Sequence, residues 1–268
     1  TLKIHALEGS DCVQKRSAKV STEALSGLLL LPDSASPGSH YQGSVASSWD
    51  GSISILRGGK TQQRIQGAHE DGISCMAESS KGTGSSVVTG SWDMTVSVWK
   101  WRNGHTLSTE PLVTFYDHDT EVASCAMRGD LVLSGGVNGA VVLHDMRDAD
   151  SPILFMECKS GITALSWIDD EHFVLCDESG TLQLHDARSG WAAVHASDSG
   201  AAVSSLCVLD NSCLTGRTDG TVSFWNFSSA HLEPLWQRQI CSSEISSLWA
   251  GEDRRFVVGD GDGMIYVY

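Results

Sequence analysis

Long apolar runs, sustained helical periodicity and paired metal-type cysteines are all missing from this 268-residue chain. The longest apolar run, Leu28 to Leu31, stops at Pro32, far short of the ~20 residues that cross a bilayer as a helix. With no apolar period of 3.6, a helical bundle or a βαβ enzyme fold has nothing to build on. Eight cysteines are present but never as Cys-x-x-Cys, so zinc fingers and ribbons are excluded by spacing. Unpaired cysteines in strands, such as Cys75, Cys125 and Cys207, act as small apolar residues and suit a reducing, intracellular setting. Bases are scarce, 18 against 33 acids, for a net charge of −15. Phosphate backbones and anionic lipid surfaces need clustered Lys and Arg, so nucleic acid and direct membrane insertion are both disfavoured. A basic or mixed-charge protein partner is favoured. No Gly-x-Ser-x-Gly, phosphate loop or helical His pair occurs, and Asp260-Gly261-Asp262-Gly263 lacks the distal Glu of a calcium loop. The expectation is a non-enzyme with no cofactor and no metal.

What is abundant is a six-residue phrase, a short polar residue and Gly followed by alternating β-branched residues. It reads Asp50-Gly51-Ser52-Ile53-Ser54-Ile55, then Asp93-Met94-Thr95-Val96-Ser97-Val98, and Asn138-Gly139-Ala140-Val141-Val142-Leu143. Ser179-Gly180-Thr181-Leu182-Gln183-Leu184, Asp219-Gly220-Thr221-Val222-Ser223-Phe224 and Asp262-Gly263-Met264-Ile265-Tyr266-Val267 follow. Thr1 to His5 is the same phrase without its turn. Blade phrases therefore start near 1, 52, 95, 140, 181, 221 and 264, with steps of 40 to 51 residues. The polar-Gly pair accepts the positive φ of a tight hairpin, and the alternation fits a strand with one buried face. Three further strand patterns flank each phrase, and four antiparallel strands per period make a propeller blade. The expected fold is all-β, a seven-bladed propeller over residues 1–268 with its first and last blades incomplete, carrying twenty-five strands where seven closed blades need twenty-eight. Two exposed strand edges are then expected between the ends. The Gly-, Ser- and Pro-rich stretches 32–42, 81–86 and 102–110 are expected as loops on the face opposite the phrase turns.

Val87-Val88-Thr89-Gly90-Ser91-Trp92-Asp93-Met94-Thr95-Val96-Ser97-Val98-Trp99 resembles a WD repeat, as does Leu214 to Trp225. That resemblance implies a hydrogen-bonded set in the blade: His69, a hydroxyl from Thr89 or Ser91, with Ser91 the first choice, then Asp93 and Trp99. The Trp slot of the other blades holds His5, Leu56, His144, His185 and Tyr268, with Trp225 intact. Further residue orders, Gln14-Lys15-Arg16-Ser17, Leu29-Leu30-Leu31-Pro32, Ser47-Ser48-Trp49-Asp50, His118-Asp119 and Leu133-Ser134-Gly135-Gly136, resemble the C-terminal propeller of BEACH-domain proteins. This implies a larger parent chain with an upstream BEACH domain and a cytoplasmic scaffold or adaptor, peripheral to membranes, in sphingomyelinase-linked receptor signalling or membrane traffic.

In WD-repeat proteins the phrase turn and the loop ahead of the first strand share a face, and here that turn carries Trp49 and Trp92. Exposed, the two indoles would anchor a partner, with Glu70, Asp71, Asp119, Glu121 and Glu244 in the neighbouring loops selecting a basic peptide. The alternative is that both pack against the next blade. A second docking reading rests on His144-Asp145-Met146-Arg147 and His185-Asp186-Ala187-Arg188. They resemble the W-D-x-R motif of substrate receptors in cullin-based ubiquitin ligases, with Arg147 and Arg188 as the docking residues. The bland counterpart is an Arg paired with a nearby acid.

Overall fold

The computed structural model describes residues 2–8, 11–31, 43–79, 86–102, 105–198, 200–228, 231–251 and 255–268. The expected loop 32–42 and most of loop 81–86 lie outside them. Among the described residues the chain is strand throughout, apart from one 3-10 turn at Ala187–Ser189, and no helix is long and apolar enough to cross a membrane. It divides into two compact units, Thr1–Val122 and Ala123–Tyr268.

In the first unit β1 (Leu2–Glu8) and β2 (Asp11–Ala18) form a two-stranded hairpin. The strands β3 (Leu25–Leu31), β4 (Gly43–Ser48), β5 (Ile53–Arg57) and β6 (Lys60–Ile65) form a four-stranded antiparallel sheet in chain order. Next come β7 (Ile73–Glu78), β8 (Ser86–Ser91) and β9 (Val96–Arg102), with β10 (Thr106–Leu107) and β11 (Val113–Phe115) both pairing the outer side of β9. The core joins these two sheets through Val45, Ile53, Ile55, Ile73, Val87 and Trp99, all essentially without solvent contact.

The second unit repeats the pattern. Its sheets are β12 (Val122–Arg128) to β13 (Leu131–Gly136), β14 (Ala140–Asp145) and β15 (Leu154–Glu157). Then follow β16 (Ile162–Trp167), β17 (His172–Asp177), β18 (Thr181–Asp186) and β19 (Ala192–Asp198), and β20 (Val203–Leu209), β21 (Ser212–Arg217), β22 (Thr221–Ser228) and β23 (His231–Gln239). The last sheet has three strands, β24 (Ile245–Ala250), β25 (Phe256–Asp260) and β26 (Ile265–Val267). Seven phrase copies thus give six sheets of three or more strands and one hairpin among the described residues.

First strands carry a repeated irregularity. A one-residue bulge falls at Leu25/Gly27, Ile73/Cys75, Ile162/Ala164, Val203/Ser205 and Ile245/Ser247. At Ser204 the extra residue turns its hydroxyl toward the next sheet. Ser204 Oγ on β20 donates to Ile245 O on β24 at 2.6 Å. The first strand of one sheet is thereby stitched to the first strand of the next.

Candidate functional site

The turns after β4 and β8 bring Trp49 and Trp92 together. Each turn is closed by hydrogen bonds that begin in the repeat phrase: Gly51 N–H donates to Ser48 O, and Met94 N–H donates to Ser91 O. The backbone N–H of Trp49 donates to Ala24 O, and that of Trp92 to Gly72 O. Both indoles are therefore anchored by the loop ahead of a first strand. Their rings meet edge-on, with centroids 4.7 Å apart and planes at 81°. Trp49 is 37% exposed and Trp92 47%. Neither is buried in the core, and each covers part of the other. Gly72 makes the seat: a Cβ there would collide with Trp49 Cε3, so any side chain would push the indole off its partner.

The second turn also carries an exposed apolar side chain that the repeat pattern did not single out. Met94 occupies the slot where Gly51 sits in the preceding repeat, at φ 68° against 71° for Gly51. The left-handed region costs an L-residue about 1–2 kcal/mol, and Met94 leaves 44% of its surface exposed. Its signal in the sequence was the missing Gly after Asp93. Strain held at an exposed apolar side chain is a mark of surfaces kept for contact.

Acids recur at this place in the repeat. Glu70 and Asp71 are exposed on the loop that holds the indoles. On the loop ahead of β12, at the same place in the repeat, Asp119 is exposed and Glu121 half-buried, while Glu244 is exposed at that place in the second unit, ahead of β24. The turn acids themselves are occupied. Burial would raise the Asp50 carboxyl, but hydrogen bonds from Ser21, Ser52 and Ser48 hold it down at about 2, and Arg64 pairs with it at 2.7 Å.

Beneath the Trp92 turn lies a closed polar chain. Trp99 Nε1–H donates to Thr89 Oγ1 at 2.9 Å, and Thr89 Oγ1 lies 2.8 Å from His69 Nε2. His69 Nδ1 is 3.0 Å from Asp93 Oδ2, which also accepts from the Glu70 backbone. The carboxylate fixes the tautomer: Nδ1–H donates to Asp93, so Nε2 accepts from Thr89. Burial works against the Asp93 charge, yet the hydrogen bonds from His69 and Thr95 hold its carboxyl well below the usual range. The hydroxyl in this set is that of Thr89, not Ser91. Ser91 Oγ donates instead to Gly72 O at 3.0 Å and to Asp71 O at 3.3 Å, because two residues along β8 it sits at the turn end of the strand, level with the loop. In the second unit Trp225 Nε1–H donates to Thr215 Oγ1 at 2.9 Å, a shorter form of the same chain.

The two His-Asp-x-Arg segments end third strands of the second unit. Arg147 is folded back on Asp145, with Nη2 to Oδ2 at 2.5 Å and Nε to Oδ1 at 2.9 Å. Arg188 does the same with Asp186 at 3.2 Å and lies 3.4 Å from Glu171. His144 is buried. His185 is buried too, stacked on Phe173 at 4.7 Å and 4°, with Nδ1 2.9 Å from Trp191 O. Burial lowers its pKa. Elsewhere in this unit a groove of about 680 Å³ is lined by Asp210, Asn211, Phe224, Asn226, Trp236 and Phe256, among others.

Known proteins place these features. Residues 60–100 match the WD domain, G-beta repeat family, the segment that holds the whole His69 to Trp99 chain. The WD40 β-propeller domain of Doa1 superimposes with a TM-score of 0.79 over 99% of this chain and 84% of that one, at 17% identity. The fold is that of a WD40 β-propeller. The computationally designed Ika8 protein is also similar, with a TM-score of 0.70 over 96% of this chain and 74% of that one, at 22% identity. Telomerase protein component 1 of Mus musculus is 23% identical over 154 residues, 53% of this chain. The match spans about 6% of the length of that relative. WD40 propellers are in general protein-interaction scaffolds, and the exposed indole pair of this chain lies on the matched repeat and the one before it.

Proposed function

We propose that this propeller is a non-enzymatic adaptor whose first unit docks a basic or mixed-charge peptide on Trp49, Trp92 and Met94. The carrying observation is that two exposed indoles meet at turn tips beside Glu70 and Asp71, with Met94 exposed on the second turn, whereas the Trp position elsewhere holds no aromatic residue but Val137, Glu178, Thr218 and Gly261. An indole pair at right angles offers a face to an apolar or cationic side chain, and cation–π contact contributes about 0.5–2 kcal/mol. The acids add attraction for Lys or Arg that salt weakens.

The finer reading is a single seven-bladed domain over residues 1–268, C-terminal to a BEACH domain. It resembles the propeller of FAN, the factor associated with neutral sphingomyelinase activation, and acts in the cytoplasm on receptor signalling or membrane traffic. The residue orders around Trp49, Trp92 and Gly135-Gly136 support it. Local pairing of Arg147 with Asp145 and of Arg188 with Asp186 favours this adaptor reading over docking to a cullin adaptor.

The test is binding of Lys/Arg-rich, neutral and acidic peptides of one length to the whole chain, wild type against Trp49→Ala plus Trp92→Ala, with folding checked by circular dichroism. Selective, salt-weakened binding of basic peptides that the folded double variant loses by at least tenfold is expected. Equal binding by the variant, or no preference for basic peptides, overturns the reading.

A further inference from the structure

A pair of histidines in the second unit has geometry that a hydrogen bond uses poorly and a metal uses well. His195 on β19 and His231 at the start of β23 come from neighbouring sheets, and their Nδ1 atoms face each other at 3.4 Å. The rings meet edge-on, with centroids 5.4 Å apart and planes at 80°. His231 is exposed and His195 half-buried, so solvent reaches the pair.

Two neutral imidazoles facing through Nδ1 can share at most one proton, and 3.4 Å exceeds the usual 2.7–3.2 Å span of an N–H donor bond. If both rings carry their proton on Nε2, two lone pairs point into one gap. Zinc–nitrogen bonds of about 2.0–2.1 Å at the tetrahedral angle set two ligand nitrogens roughly 3.4 Å apart. Ligands at right angles, as on a square-planar or octahedral ion with similar bonds, would stand about 2.9 Å apart. The observed spacing matches the tetrahedral case without moving either strand.

We propose that His195 and His231 chelate a zinc ion that bridges β19 and β23. No group of three or more His, Cys, Asp and Glu residues suited to a metal occurs among the described residues. The two remaining positions are therefore open to water or to a carboxylate from another molecule. This is an open surface chelate, unlike a closed four-ligand structural site. Its effect is to clip the outer strands of two adjacent sheets, and mass action then makes the folded unit more stable as zinc rises.

The experiment is calorimetric titration of zinc chloride into the whole chain, wild type against His195→Ala and His231→Ala, with His105→Ala, an exposed first-unit histidine, as control. His231→Gln serves as a second variant should an alanine change disturb the fold. Loss of one zinc equivalent in each His195 or His231 variant, and its retention in the control, is expected. Cobalt(II) in place of zinc should give the intense visible bands of a tetrahedral ion, absent from the variants. Wild-type stoichiometry in the variants, no zinc binding by the wild type, or the pale spectrum of octahedral cobalt each overturns the proposal.

Discussion

Replacing Thr89 by Val removes one hydroxyl from the middle of a buried chain and leaves the shape nearly unchanged. Thr89 has no exposed surface, Trp99 is 1% exposed and His69 6%, so water cannot replace the lost partner. The Trp99 Nε1–H loses its acceptor and His69 Nε2 its donor. A buried polar group left unsatisfied costs about 1–3 kcal/mol, and two of them bring the expected loss to roughly 2–6 kcal/mol. His69 Nδ1 keeps Asp93 and Thr95, so the loop ahead of β7 should hold its place. Thr215→Val is the internal comparison, since it orphans only Trp225 Nε1–H and should cost about half as much. Ser91→Ala removes bonds to loop carbonyls at the edge of the sheet and should cost about 1 kcal/mol. Urea unfolding followed by tryptophan fluorescence reads the series, and a loss of roughly 2–6 kcal/mol should lower the midpoint by roughly 1–3 M. If Ser91→Ala costs as much as Thr89→Val, or Thr89→Val costs less than about 0.5 kcal/mol, the chain described here does not carry the turn.

Met94→Gly should raise stability by about 1 kcal/mol, because Gly adopts φ 68° without the L-residue penalty; the same change should weaken binding of basic peptides. A stability gain with unchanged peptide affinity would remove Met94 from the docking surface. The carboxyl of Asp50 is held at about 2 in the folded state against 3.8 ordinarily, and that of Asp93 is also held down. A carboxylate with a depressed folded pKa contributes stability that is complete above the unfolded value and lost as pH falls through the folded one. Stability should thus drop between about pH 4 and pH 2, less steeply in Asp50→Asn plus Asp93→Asn, as read by circular dichroism. His185 acts in the same direction at higher pH: burial favours its neutral form, so the unfolded chain takes up the proton first and stability falls as pH drops below about 6.5. His185→Phe, which keeps the stack on Phe173, should flatten that fall between pH 7 and pH 5, and an unchanged slope would assign it to other groups.

The sequence by itself determined the features that local rules govern. Asp-Gly and Asn-Gly pairs demand hairpins, and β-branched alternation after them demands strands; the one buried face that alternation predicts is corrected by the structure, which packs β5 and β14 between sheets and buries both their faces. Ile53, Ile55, Val141, Leu143, Leu182 and Leu184 accordingly lie in the core. The recurrence of that phrase is what made a propeller legible, and Trp99 could be assigned its hydrogen-bonded role from its slot alone. Thr89 and Ser91 could not be separated in this way, because residues two apart on β8 point to the same face. Only the height at which the loop ahead of β7 delivers His69 picks Thr89. The meeting of Trp49 with Trp92 was undecided for a related reason: their turns belong to different sheets, and it takes the bare Cα of Gly72 to seat the Trp49 ring beside the second turn. His195 and His231 stand 36 residues apart, beyond any spacing motif, and come together because the outer strands of two sheets pack side by side. Turn chemistry and period are local and survive in the order of residues; contacts between sheets depend on packing, and exist only once the strands have been stacked.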